Sequence, residues 1–154
     1  MTVWRVVHRR WADEAFGGAG AELLGGRFNS PGVAMVYTSE SLSLAVLETL
    51  VRAGSRNRLR DFRCIPATLP REPGTLQLPD NWNAVPYRAS SQQAGDAWIR
   101  TCSGLAVRVP SVVVPIEHNV LLNPRHPDFA EVHVGEPIPF PIDPRFTAPA
   151  SPTG

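Results

Sequence analysis

VAMVYTSESLSLAVLETLVRAG (Val33 to Gly54) changes its period in the middle, and that change decides the fold. VAMVYT (Val33 to Thr38) is short and mostly apolar, which is the pattern of an internal strand. From Ser39 the spacing turns helical. Leu42, Ala45, Val46, Leu50 and Ala53 fall on one stripe, Ser39 or Ser41 can cap it, and Gly54 supplies a stop. Leu44, Leu47 and Val51 widen the stripe, which predicts a well-buried helix. Tyr37 and Glu48 do not fit plain packing. The phenol closes the strand, and the carboxylate has Leu44, Ala45, Val51 and Arg52 as its neighbours three and four residues away. A carboxylate beside an apolar stripe is either paired, here with Arg52, or working.

Outward from this pair, TVWRVVHR (Thr2 to Arg9) is β-rich and reads as a first strand. FGGAGAELLGGRFNSPG (Phe16 to Gly32) is a glycine-studded loop carrying Arg27. Its glycines follow neither the GxGxxG nor the GxxxxGK[ST] spacing. After the helix, RNRLRDF is a charged bridge into RCIPATL (Arg63 to Leu69), a strand whose Pro66 predicts an edge or a bulge. Pro70 to Ser90 is proline-broken surface bearing Trp82 and Tyr87. A second helix is expected from Ser90 or Ser91 to Gly104, then a strand from Leu105 to Pro115 split by Pro110. HNVLLNPRHPDFAEVHV reads as a turn with two asparagines and a strand around Val132 and Val134. Beyond Pro137 the proline content predicts an extended arm with a frayed end. The order β, β, α, β, α, β, β excludes a regularly alternating parallel sheet and predicts one mixed α+β domain on twisted β-sheets with flanking helices.

The 154 residues suffice for one core. A formal net charge of +1 gives no general attraction for nucleic acid or anionic lipid. Lysine is absent, so every cationic side chain other than histidine is an arginine, a fork suited to carboxylates and phosphates. Cys64 and Cys102 match no metal motif and are expected to be buried thiols in a reducing compartment. MTVWRVVHRRWADE lacks the apolar run of a signal peptide, and no segment is long and apolar enough to span a membrane, so a cytoplasmic location is expected.

Taken singly, Tyr37 fits a core phenol, Arg27 a solvated cation and Ser111 a plain strand serine with no GxSxG elbow. His118 and His126 flank NVLLNP and read as turn histidines. Taken in order, the residues resemble the RES domain family, which is named for its arginine, glutamate and serine. The resemblance covers nearly the whole chain. It is carried by GGRFNSPGVAMVYTSESLSLAVLE (Gly25 to Glu48) and VPSVVVPIEHNVLLNPRHPDF (Val109 to Phe129).

The resemblance implies a fold like that of ADP-ribosyltransferase toxins, with a RES-type NAD-binding domain over residues 1–136 and a proline-rich C-terminal arm over 137–154. It implies a toxin of a type II toxin–antitoxin system that cleaves NAD+ between nicotinamide and ribose, as glycohydrolase or phosphorylase. The alternatives are ADP-ribosylation of a protein and a non-catalytic binding module. NAD+ would be substrate rather than resident cofactor, and no metal is required. The implied partner is an Xre-type antitoxin with its own DNA-binding domain, which the arginine run from Arg52 to Arg63 could face. Carried over position by position, Glu48, Arg27 and Tyr37 are the catalytic set, and Arg27, Tyr37, Ser111 and Asn123 hold the dinucleotide. Asn119 is a nearby rival for the asparagine.

These residue types suit the reaction. Nicotinamide leaves neutral, so positive charge develops on the ribose, and a carboxylate such as Glu48 stabilises it. Arg27 matches phosphate oxygens. A mere binder has no use for a carboxylate close to the phosphates.

Overall fold

A computed structural model describes residues 1–53, 56–140 and 143. Among these, eight strands join one sheet in the order β4-β5-β6-β2-β1-β3-β7, with β8 also on β3. The strands are β1 (Thr2–His8), β2 (Val36–Ser39), β3 (Phe62–Thr68), β4 (Gly74–Thr75), β5 (Ala106–Pro110), β6 (His118–Leu122), β7 (His133–Val134) and β8 (Ile138–Pro139). All pairings are antiparallel except β4 with β5. The α-helices are α1 (Ala19–Leu24), α2 (Leu42–Ala53) and α3 (Ala89–Thr101). The α+β class expected from the sequence is the observed one.

One pairing organises the site. β1 runs along β3 over its whole length and β2 runs along β6, but β1 and β2 pair only at Trp4↔Ser39. The sheet is therefore two well-laddered halves joined by a short seam. Both faces are covered, as side-chain alternation shows. Val120 and Leu122 belong to the cluster around Val3, Val36 and Ile65, and Leu121 belongs to the cluster around Met35, Trp98 and Val109. A third cluster seats α2 on the sheet: Leu42, Val46 and Leu50 lie against Trp4, Val6, Cys64 and Phe140.

Several expectations are corrected. The stretch around Asn119 is a central strand, not a turn. Its His118–Leu122 run lies between prolines, and five residues are too few for a period to declare itself. The glycine loop contains α1, a helix short enough to be masked by its glycines. α2 is capped by Ser41, whose Oγ accepts from Leu44 N at 3.1 Å, but it is buried on one side only: Leu47 and Val51 are exposed. Its stop at Gly54 lies outside the described residues. α3 has Arg88 at its N-cap with no side-chain cap and ends at Cys102, in the left-handed region at φ 49°, ahead of Gly104. Cys64 is buried as expected, but Cys102 is exposed, because a helix C-cap faces water. β3 is interior. Pro66 is accommodated because its outer side falls between the pairings to β7 and β8, where its carbonyl accepts from Gly135 N at 2.8 Å.

The chain beyond Pro137 starts as part of the body: β8 pairs with β3 and Phe140 is buried. The rest of the arm, apart from Asp143, lies outside the described residues. Among the described residues no helix is long and apolar enough to cross a membrane.

Candidate active site

α2 carries Glu48 to the open side of the seam, half-buried. Its Oε1 accepts from Ser111 Oγ at 2.9 Å and from Asn119 Nδ2 at 2.6 Å. Both donors are themselves held. Ser111 Oγ accepts from Val113 N and Val114 N, each at 3.0 Å, and Asn119 Oδ1 accepts from Ser39 Oγ at 2.7 Å. Hydrogen bonds to a carboxylate are charge-assisted, so two on one oxygen fix the group firmly. Among the described residues nothing hydrogen-bonds Oε2. The ion pair with Arg52 does not form: Arg52 Nε donates to the Glu48 backbone carbonyl at 3.2 Å instead.

Tyr37 and Arg27 reach the same cavity, of about 660 Å³, whose lining includes Glu48 and Asn119. The Tyr37 hydroxyl donates to Asn29 Oδ1 at 2.7 Å and accepts from Phe28 N at 3.0 Å. Burial pushes its pKa well above the ordinary phenol value, so it stays neutral. It secures the Gly26–Asn29 turn, and its close approach requires a glycine: a Cβ on Gly26 would lie 2.6 Å from that oxygen. Arg27 Nη1 donates to the carbonyls of Trp82 and Ala84 at 2.7 and 2.8 Å, and its guanidinium lies 5.8 Å from the centre of the Tyr87 ring. Desolvation lowers its pKa and Glu48 opposes this, but the group remains a cation.

A second layer, invisible from the sequence, holds the arginine turn. Asn29 is fully buried and its amide donates to the carbonyls of Ala21 and Val33 at 2.7 and 2.9 Å. From α3, Gln92 Nε2 donates to the carbonyls of Gly26 and Asn29, both at 3.1 Å, and Asp96 Oδ1 accepts from Ser30 N at 2.9 Å. Gly95 lies against the Phe28 carbonyl, which any added Cβ would strike.

The structure thus brings Arg27, Tyr37 and Glu48 together, with two adjustments. Ser111 is fully buried behind Glu48 rather than on the cavity. Asn123 is not at the cavity. It is 1% exposed, its Oδ1 accepts from Arg125 N at 3.0 Å, and its amide faces Cys102 Sγ at 3.8 Å. Asn119 takes the place expected for it, because it lies in β6 in register with Ser39 and Val109, whereas Asn123 follows the strand's end. His126 Nδ1 accepts from Asp128 N at 3.1 Å, and His118 Nδ1 stands 3.7 Å from Glu40 Oε2; neither lines the cavity.

A family model described as the RES domain matches residues 2–143. Toxin Res of Yersinia enterocolitica is 38% identical over 153 residues, covering 95% of this chain and 99% of that one. The Prs ADP-ribosylating toxin of a Sphingobium species is 34% identical over 154 residues, covering 93% and 94%. Among solved structures, a chain of the M. tuberculosis MbcT–MbcA toxin–antitoxin complex superposes with a TM-score of 0.66 at 16% identity, covering 90% of this chain and 82% of that one; the likeness is one of fold.

Proposed function

The chain belongs to the RES domain family and is a RES-type toxin, and from that premise we propose that it cleaves NAD+ at the bond between nicotinamide and ribose. One observation carries the reading: Glu48 is held through a single oxygen by Ser111 and Asn119, in a cavity shared with Arg27 and Tyr37. A structural carboxylate would be paired with a cation. This one is aligned by two neutral donors, and among the described residues no cation pairs with it.

In the proposed reaction the C–N bond breaks and its electron pair goes to the ring nitrogen, so nicotinamide departs neutral. The ribose becomes oxocarbenium-like, and Glu48 stabilises that charge, with Ser111 and Asn119 holding the carboxylate by Oε1. Arg27 holds phosphate oxygens. Tyr37 supports the turn that carries Arg27 and offers its ring face to a base. The acceptor, water or phosphate, adds through oxygen and loses a proton. The name of the Sphingobium relative favours a second acceptor, a protein side chain. An antitoxin of Xre type, with its own DNA-binding domain, is the proposed partner, covering the cavity mouth.

The experiment is to incubate the purified protein with NAD+, with and without phosphate, and follow nicotinamide by chromatography. Release is expected, and Glu48→Gln should stop it. Labelled NAD+ separates the acceptors, since transferase activity leaves label on protein. NAD+ that stays intact without antitoxin would favour a module that only binds.

A further inference from the structure

The β5–β6 hairpin grips α2 at two levels, and only the deeper one belongs to the cavity. Well inside the helix, Ser111 and Asn119 of the hairpin hold Glu48. At the helix entry the same hairpin meets Glu40 and Ser41. Glu40 N donates to the His118 carbonyl at 3.2 Å, and Ser41 Oγ donates to Glu117 Oε2 at 3.3 Å. Arg108 Nε donates to Glu40 Oε1 at 2.5 Å. The hairpin is closed at its turn, where Ser111 N donates to the Glu117 carbonyl at 2.9 Å. Its entry contacts and its Glu48 contacts therefore belong to one fixed piece.

Arg108 has two charged arms. Nε reaches Glu40, and Nη2 reaches Glu72 Oε2 at 2.7 Å, while Nη1 donates to the Pro73 carbonyl at 3.2 Å. The side chains of Arg108 and Glu40 are each 30% exposed, and that of Glu72 is 70% exposed. A sheltered pair is screened less than an exposed one, so the arm to Glu40 is the stronger. The arms also end in different places. Glu40 stands at the start of the helix that carries Glu48, and Glu72 stands ahead of β4 at the edge of the sheet. Neither Arg108 nor Glu40 lines the cavity.

We propose that Arg108 is a positioning residue for Glu48, acting through Glu40. This rests on the reading of Glu48 as the acid that stabilises the ribose cation. A helix is stiff along its axis, so fixing its entry against the hairpin sets where Glu48 meets Ser111 and Asn119 on that hairpin. Without the ion pair, the entry hangs on one backbone hydrogen bond and the longer Ser41–Glu117 contact.

The test compares the two arms. Glu40→Gln and Arg108→Gln should each lower kcat for nicotinamide release by about tenfold and leave the KM for NAD+ within about twofold. The double variant should be no slower than either single one. Glu72→Gln removes an ion pair from the same guanidinium and should leave kcat within about twofold. A second readout needs no turnover. The side-chain carboxyl 13C resonance of Glu48 reports the hydrogen bonds on Oε1; it should move in Glu40→Gln and Arg108→Gln and stay in place in Glu72→Gln. Circular dichroism checks folding, and Glu40→Gln carries the comparison if Arg108→Gln fails to fold. Equal effects of Glu40→Gln and Glu72→Gln on kcat, or a Glu48 resonance that Glu40→Gln does not move, overturn the inference even if NAD+ is cleaved. A resonance that moves as expected in a protein that leaves NAD+ intact keeps the positioning and rejects the cleavage reading instead.

Discussion

Asn119 Nδ2 stands 2.6 Å from Glu48 Oε1, and the two residues come from neighbouring layers, a central strand and the helix packed on it. The contact spans 71 residues of sequence. It is the shortest link in a chain that runs from Ser39 through Asn119 to Glu48, and it makes the acid's position a property of the sheet.

Replacing Glu48 by glutamine should separate chemistry from binding. The amide can still accept from Ser111 and Asn119 through its carbonyl oxygen, so the fold is kept. Loss of the charge should lower kcat by about 10³-fold, with NAD+ affinity changed by only a few-fold. Nicotinamide release and calorimetric titration check the two halves.

The two asparagines should part company. Asn119→Ala removes a charge-assisted hydrogen bond to the carboxylate and should reduce kcat by about 10- to 100-fold with a small change in melting temperature. Asn123→Ala deletes a buried amide away from the cavity. It should cost about 1–2 kcal/mol of stability and leave kcat within about twofold. Equal kinetic losses in both variants would refute the placement of Asn119.

Gly95→Ala should be severe for so small a change. The new methyl would meet the Phe28 carbonyl, forcing α3 away from the arginine turn that Gln92 and Asp96 hold. A loss of about 2–4 kcal/mol is expected by urea denaturation, together with weaker NAD+ binding.

Arg27→Ala should act on both stability and affinity. The carbonyls of Trp82 and Ala84 lose their donor, at a cost of about 1–2 kcal/mol. The phosphate contact proposed for Arg27 would go with it, and KM should then rise by about 30-fold or more. Arg27→Lys keeps the charge but not the fork, and should recover only part of each.

Alkaline pH tests the buried thiol. Burial pushes Cys64 from its ordinary 9.0 up to about 11, so the folded state keeps the proton that the unfolded chain releases. The stabilisation is complete below pH 9 and is lost as pH rises through 11. The stability difference between the native protein and Cys64→Ala should therefore narrow over that window. From pH 10 upward, Tyr37, raised, adds a loss of stability, and Arg5, lowered to about 10, adds a gain; both are common to the two proteins and cancel in the difference. A thiol reagent at neutral pH should modify Cys102 and spare Cys64.

Much of this was legible in the sequence. The change of period after Thr38 gave the strand and α2, and the resemblance to the RES domain family implied that Arg27, Tyr37 and Glu48 share one cleft. What stayed hidden was non-local. β6 is five residues between prolines, too short for periodicity, so Asn119 could not be told from Asn123 until its pairing with Ser39 was known. Leu47 and Val51 look like core on a helical wheel, but only the packing partners decide which side of α2 is covered. Ser111 was identified by motif, yet its position behind the carboxylate depends on a turn of backbone amides that no side-chain pattern announces.

The single seam residue pair Trp4↔Ser39 has a kinetic implication. The two half-sheets meet there at one paired rung, and the Arg5–Tyr37 hydrogen bond and helix α2 bridge them further along, so opening along that line would have to break these links first. Glu48 lies across that line: its helix sits on the β1–β3 half through Leu42, Val46 and Leu50, while its carboxylate is held by Ser111 and Asn119 on the other half, so the acid's position depends on the two halves keeping their register.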